Sequence, residues 1–130
     1  MGEETLNEVD RPVFTASVGE QDGVVIVTVT GELDMSTVSR AAVALKDALS
    51  RAKPIVVDLT GLRFFSSAGL TLLVQLNEHR QDPPLDVRLV GDQRVVILPL
   101  ELTGLRDLFP IHTSLGEALA ARSGDRRSES

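Results

Sequence analysis

The residues best suited to chemistry lie in one stretch, Asp58-Leu-Thr-Gly-Leu-Arg-Phe-Phe-Ser-Ser-Ala-Gly-Leu70. It leads from the end of an apolar strand-like segment, through a short loop, into the start of a helix. Ligand and modification sites concentrate at the carboxyl ends of parallel strands. Ser66 and Ser67 stand where a helix leaves backbone N–H groups unpaired and the helix dipole is positive. A phosphate on either serine would meet a favourable terminus. Serine is also a preferred N-cap, so Ser66 could serve the helix alone. The two roles are compatible if Ser66 caps while Ser67 points outward from the first turn. Ala68 and Gly69 are small and leave room for a partner's backbone to approach.

Other chemistries fail on residue types. A nucleophile elbow needs Gly-x-Ser-x-Gly, and position 65 is Phe. A hydrolase built on Ser67 would also need an acid and His112 in place. A phosphate-binding loop needs a Gly-Lys pair that does not follow Gly61. A phospho-receiver site needs an acidic pair after the first parallel strand and a lysine after the last, and Asp58 has neither companion. His79 reads as a helix C-terminal residue favoured by the dipole, and His112 as a strand-end residue.

Composition narrows the field further. There are 13 Lys+Arg against 19 Asp+Glu, a net charge of −6. Cysteine, Trp and Tyr are absent and His occurs twice. That excludes a disulfide framework, a thiolate zinc site and a cysteine nucleophile. An acidic chain whose aromatics are four Phe lacks the basic footprint and stacking platform of a nucleic-acid binder. Arg126-Arg127 is too short a run to alter this. No apolar run approaches the ~20 residues of a membrane span. The acidic start has no signal-peptide core, and Leu6 occupies the Ser/Thr position of a myristoylation motif. These features predict a cytoplasmic protein with no metal or cofactor of its own.

The elements that must position the serines follow from periodicity. Residues 1–11 read as a loose arm, 12–122 as one domain and 123–130 as a frayed tail. Phe14–Val18 and Val24–Thr30 flank the turn signal Gln21-Asp22-Gly23 and predict an antiparallel hairpin. Gly31-Glu32-Leu33-Asp34 is expected to end the second strand. Val38, Ala41, Ala42, Leu45, Ala48, Leu49 and Ala52 form a helical stripe, capped by Asp34, Ser36 or Thr37. Pro54 stops it. Ile55–Leu59 suits a central strand, and Gly61–Phe65 is read as a loop. A second helix is expected over about 67–80, stopped by Asp82-Pro83-Pro84. A strand around Val87–Leu89, a helix over 93–105 that Pro99 either kinks or enters at its last turn, and a short strand in 109–113 come next. Ser114 and Glu117 form a capping box for a last helix. This order predicts an α/β fold with a mixed, mostly parallel sheet of about five strands, the first antiparallel, and about four helices mainly on one face. The Leu-rich stretch 95–105 reads as core or as a homodimer contact.

Three segments together resemble a known family. Val29-Thr-Gly-Glu-Leu-Asp-Met-Ser36, Val57 to Leu70, and Leu102 to Ile111 followed by Ser114-Leu-Gly-Glu-Ala-Leu119 look like the STAS domain, and more narrowly like bacterial anti-sigma factor antagonists. The resemblance covers roughly residues 13–121, with the three motifs in the family's order. It implies the STAS fold and a non-enzymatic role. The implied partner is an anti-sigma factor that is also a serine kinase of the histidine-kinase-like ATPase fold. The unmodified antagonist captures that protein and frees a sigma factor; phosphorylation of one serine ends binding, and a serine phosphatase restores it. The family's acceptor is the first serine of Asp-Ser-Ser-Gly-Leu, which falls here on Ser67. The family's Asp falls on Ser66, which becomes the second choice of acceptor, and its second serine falls on Ala68. The resemblance places Glu32, Leu33, Asp34, Ser66, Ser67, Ala68, Gly69 and Leu70 in the partner surface. The alternative is a STAS scaffold or small-ligand-sensing module without phosphorylation.

Overall fold

The computed structural model describes residues 13–82 and 84–121; the expected arm (1–11) and tail (123–130) lie outside the described residues. Strand β1 (Thr15–Gln21) and β2 (Val24–Leu33) form the predicted hairpin. Its tip, Asp22 and Gly23, takes φ of 54° and 79°, the left-handed geometry that two-residue hairpins favour. Helix α1 (Val38–Ser50), β3 (Ile55–Phe65), α2 (Ser67–His79), β4 (Val87–Val90), α3 (Arg94–Leu102), a 3₁₀ turn (Leu105–Asp107) and β5 (Ile111–His112) follow. Residues 115–121 form a last helix, α4.

The five strands lie in sequence order, β1 antiparallel to β2 and the others parallel. Successive right-handed crossovers that step in one direction put their helices on one face. The core agrees: Val25, Val27, Val29, Ile55, Val57, Leu59 and Leu89 share one buried cluster with Ala41, Leu45, Leu73, Leu76, Val96 and Leu100 of α1 to α3. Among the described residues α4 alone packs on the opposite face, where Ala118, Leu115 and Leu119 meet Val24, Val56 and Val90. Its capping box is present, with Glu117 N–H donating to Ser114 Oγ at 3.1 Å. Glu117 reaches back one residue further than the standard box, accepting from Thr113 N–H at 3.2 Å.

Two sequence expectations need correction. Strand β2 does not end at Gly31 but runs to Leu33. Gly61–Phe65 is not a loop but the second half of β3. The pairing slips twice: Thr28 faces Asp58, Thr30 faces Gly61, and Glu32 faces Phe64. Each slip is one extra residue on β3, the definition of a bulge. The bulges break the alternation that marks a strand, so the segment reads as irregular. Pro99 opens the last turn of α3, one of the two roles expected of it, and the helix continues to Leu102.

Candidate functional site

Beyond Asp58, β3 outruns β4 and keeps only β2 beside it. Carbonyls on the side β4 leaves open need another partner. Gln93 supplies it: its Nε2 donates toward Leu59 O (2.8 Å), Leu62 O (3.0 Å) and Thr60 O (3.2 Å). Asp58 Oδ1 accepts from Thr60 N–H at 3.0 Å and shapes the first bulge. Gly61 is required there, because a Cβ would stand 2.6 Å from Thr30 Cγ2. The extension carries Phe64 outward and Phe65 inward, as neighbours in a strand must go. Phe65 is buried at 7% exposure and Phe64 is 48% exposed.

Ser66 turns the chain from β3 into α2. Its N–H donates to Leu33 O at 3.0 Å, tying the end of β2 to the helix start. Its backbone is extended, and its Oγ accepts from Ala68 N–H at 3.2 Å. Ser66 is therefore the N-cap. Ser67 is the first helical residue and is exposed. Among the described residues its hydroxyl has no hydrogen-bond partner. No acidic residue stands in the first turn of α2.

Gly69 packs against the protein's own core. It is buried, and a Cβ there would meet Phe65 Cε1 at 2.5 Å and Leu33 Cδ2 at 2.8 Å. The space that the sequence assigns to an approaching backbone is filled by the protein's own core. Leu33 is likewise buried, at 3% exposure. Leu70 and Ala68 are half-buried. Glu32 is exposed and pairs in register with Phe64.

Asp34 organises the turn into α1. Its Oδ1 accepts from Ser36 Oγ (2.6 Å) and Ser36 N–H (2.9 Å), and Thr37 Oγ1 donates to Glu32 O at 2.7 Å. The Ser36 hydroxyl, helped by the Ser36 and Thr37 amides, holds the Asp34 carboxyl below the ordinary carboxylate range. The three candidate caps share the work: Thr37 is the N-cap residue, without a side-chain cap bond, and Asp34 secures the preceding turn. This turn leaves Met35 87% exposed. A groove of about 350 Å³ opens between α1 and α2, lined by Met35, Val38, Ala42, Ala68, Thr71 and Gln75 among others. Ser67 thus lies along the chain between the exposed Phe64 and Ala68, which lines the same groove as Met35. Neither Met35 nor Phe64 was signalled by sequence, since the reading of 61–65 as a loop hid the in-out alternation of Phe64 and Phe65.

The other side chains singled out by chemistry are engaged elsewhere. His79 closes α2 with Nδ1 2.8 Å from Gln75 O. His112 lies between Arg88 (3.3 Å from Nε2) and Glu117 (3.4 Å from Nδ1), on the sheet face that carries α4. Among the described residues no group of three or more His, Asp or Glu could hold a metal ion. No described helix is long and apolar enough to cross a membrane.

Comparison with known proteins places this geometry. The family model for the STAS domain matches residues 15–118. The anti-sigma-F factor antagonist RsfA of Mycobacterium tuberculosis is 30% identical over 113 residues, covering 82% of this chain and 85% of the relative. The anti-sigma-F factor antagonist RsfB of the same organism is 28% identical over 118 residues, covering 87% and 93%. The crystal structure of an anti-sigma factor antagonist from Mycobacterium paratuberculosis superposes with a TM-score of 0.76 at 32% identity, covering 84% of this chain and 93% of that one. The five-strand mixed sheet and its helices match the STAS fold, the family model spans most of the chain, and the chain belongs to that family.

Proposed function

We propose that the protein is an anti-sigma factor antagonist switched by phosphorylation of Ser67. In this reading the unmodified form binds, in the cytoplasm, an anti-sigma factor of the histidine-kinase-like ATPase fold and so frees a sigma factor. One observation carries the choice of acceptor: Ser66 Oγ is committed to the Ala68 amide, while Ser67 is exposed with an unengaged hydroxyl. Ser67 Oγ attacks the γ-phosphorus of ATP held by the partner. The new O–P bond replaces the bond to the β,γ-bridging oxygen, ADP departs, and the hydroxyl proton passes to a base on the kinase. The antagonist needs no base of its own. A serine phosphatase reverses the modification by hydrolysis.

Charge explains the switch. The contact surface offers a neutral hydroxyl, along the chain between Phe64 and the groove-lining Ala68, with Glu32 and Asp34 close in sequence to Met35 on that groove. Phosphorylation adds about −1.5 to −2 charges. That charge must be desolvated on docking and adds to an already acidic edge. Each ~1.4 kcal/mol of penalty weakens binding tenfold. The fold itself tolerates the phosphate, because the first turn of a helix favours negative charge.

The test uses the cognate kinase with Mg-ATP and intact-protein mass spectrometry. The wild type should gain one phosphate, and Ser67→Ala should gain none. Full phosphorylation of Ser67→Ala would refute the assignment. Ser67→Glu should lose binding to the anti-sigma factor; undiminished affinity would favour the scaffold reading instead.

A further inference from the structure

Helix α3 has two apolar sides, and the fold uses one. Val96 and Leu100 face the sheet at 1% and 0% exposure. Val95, Leu98 and Leu102 are 40%, 37% and 78% exposed. At about 100° per residue, these three fall on one outer stripe. Leu108, 39% exposed, follows just beyond the helix. The charged residues of α3 are Arg94 and Glu101. Both stand on the same flank of the stripe, seven positions (101 − 94) apart, and with Leu98 they line one shallow depression. Glu101 reaches Arg106, and among the described residues Arg94 has no ion-pair partner.

We propose that a second copy of this chain covers the stripe, α3 packing antiparallel on α3 about a two-fold axis between Ile97 and Leu98. Charge complementarity selects this arrangement. A two-fold axis there preserves the flank and sets Arg94 opposite Glu101 of the partner subunit, and Glu101 opposite Arg94 of the partner subunit. A parallel two-fold pairing would carry the charged flank to opposite sides of the seam and leave neither charge a partner across it. The apolar side chains fit the same operation. Leu98 meets Leu98 of the partner subunit near the axis, and Val95 falls between Leu98 and Leu102 of the partner subunit. The interface is isologous and closed, so it stops at a dimer. A nine-residue helix is about 13.5 Å long, so the contact is small and the dimer weak. The residues involved are not those of the Ser67 site, so this proposal stands apart from the functional one.

Sedimentation velocity from about 10 µM to about 1 mM should show the wild type rising toward twice the monomer mass. Leu98→Asp should remain monomeric over that range, with an unchanged far-ultraviolet circular dichroism spectrum. Arg94→Glu alone and Glu101→Arg alone should each weaken association about tenfold, since each sets like charges opposite each other twice. Mixing these two variants restores both opposite-charge pairs and should return association to the wild-type level. A wild type that stays monomeric at the highest concentration overturns the proposal, leaving the stripe to some other occupant. A dimer that survives Leu98→Asp also overturns it, as does a mixture that associates no better than its parts.

Discussion

Two adjacent serines divide structure from signalling at the start of α2. Ser66 caps the helix and anchors the end of β2, and Ser67 is left free. Removing the cap should cost about 0.5–2 kcal/mol of stability. Ser66→Ala should therefore lower the urea midpoint yet still accept one phosphate, whereas Ser67→Ala should leave the midpoint nearly unchanged and accept none. Reversal of those two patterns would exchange the roles. Gly69 makes a third residue-level case. A methyl group there has to displace Phe65 and Leu33, which lie 2.5 and 2.8 Å from its Cβ position. Overpacking of this kind costs about 1–3 kcal/mol, so Gly69→Ala should unfold at distinctly lower urea than wild type. The sequence made the serines legible because serine before an apolar helical stripe is a capping signal. At Gly69 the structure shows internal packing, and a glycine kept for that looks the same in sequence as one kept for a visitor.

At the scale of elements, regular periodicity was legible and compensation across the fold was not. The alternation of β2 in fact continues through Gly31, Glu32 and Leu33, buried, exposed, buried. Gly31 reads as a breaker, but it is there because φ is 94° and a Cβ would stand 2.9 Å from Phe14 Cα. The extension of β3 was hidden for a different reason: its stabiliser, Gln93, lies 28 positions beyond Phe65 (93 − 65), on another connection. Gln93 shares two amide hydrogens among three carbonyls. Gln93→Ala leaves those acceptors without it and should cost about 1–3 kcal/mol. Amide exchange should accelerate over 62–65, the segment that delivers Phe64 and Ser66. Gln93→Glu should be worse at neutral pH, since a carboxylate faces three carbonyl oxygens, and should recover partly once acid protonates it. Equal stability of the Ala and Glu variants across pH would show that Gln93 is not acting as the donor.

At the scale of the whole fold, three carboxylates among the described residues, Glu20, Asp34 and Glu117, tie connections to the sheet, and each is held below its ordinary range. For Glu20 the cause is first the ammonium of Lys53 at 2.7 Å and then the guanidinium of Arg51 at 2.9 Å. For Asp34 it is the Ser36 hydroxyl, and for Glu117 the amide and then the hydroxyl of Thr113. A carboxyl whose folded-state value is lowered binds its proton more weakly when folded, so the unfolded chain takes up more protons as pH falls. Its stabilisation is whole above the unfolded value and is lost as pH drops through the folded one. Stability should therefore hold steady near neutrality and decline between about pH 5 and about pH 3. The two kinds of partner separate under salt. Glu20 faces part-exposed charges, which about 1 M salt screens to a Debye length near 3 Å. Glu117 is held by neutral hydrogen-bond donors first, which salt does not screen. Comparing urea midpoints at neutral pH, Glu20→Gln should destabilise at low salt and much less at high salt. Glu117→Gln should destabilise alike at both, because it removes an acceptor from the start of α4 whatever the ionic strength. If salt erased both effects equally, the hold on Glu117 would be a matter of net charge, and the capping geometry would not be what secures α4 to the open face of the sheet.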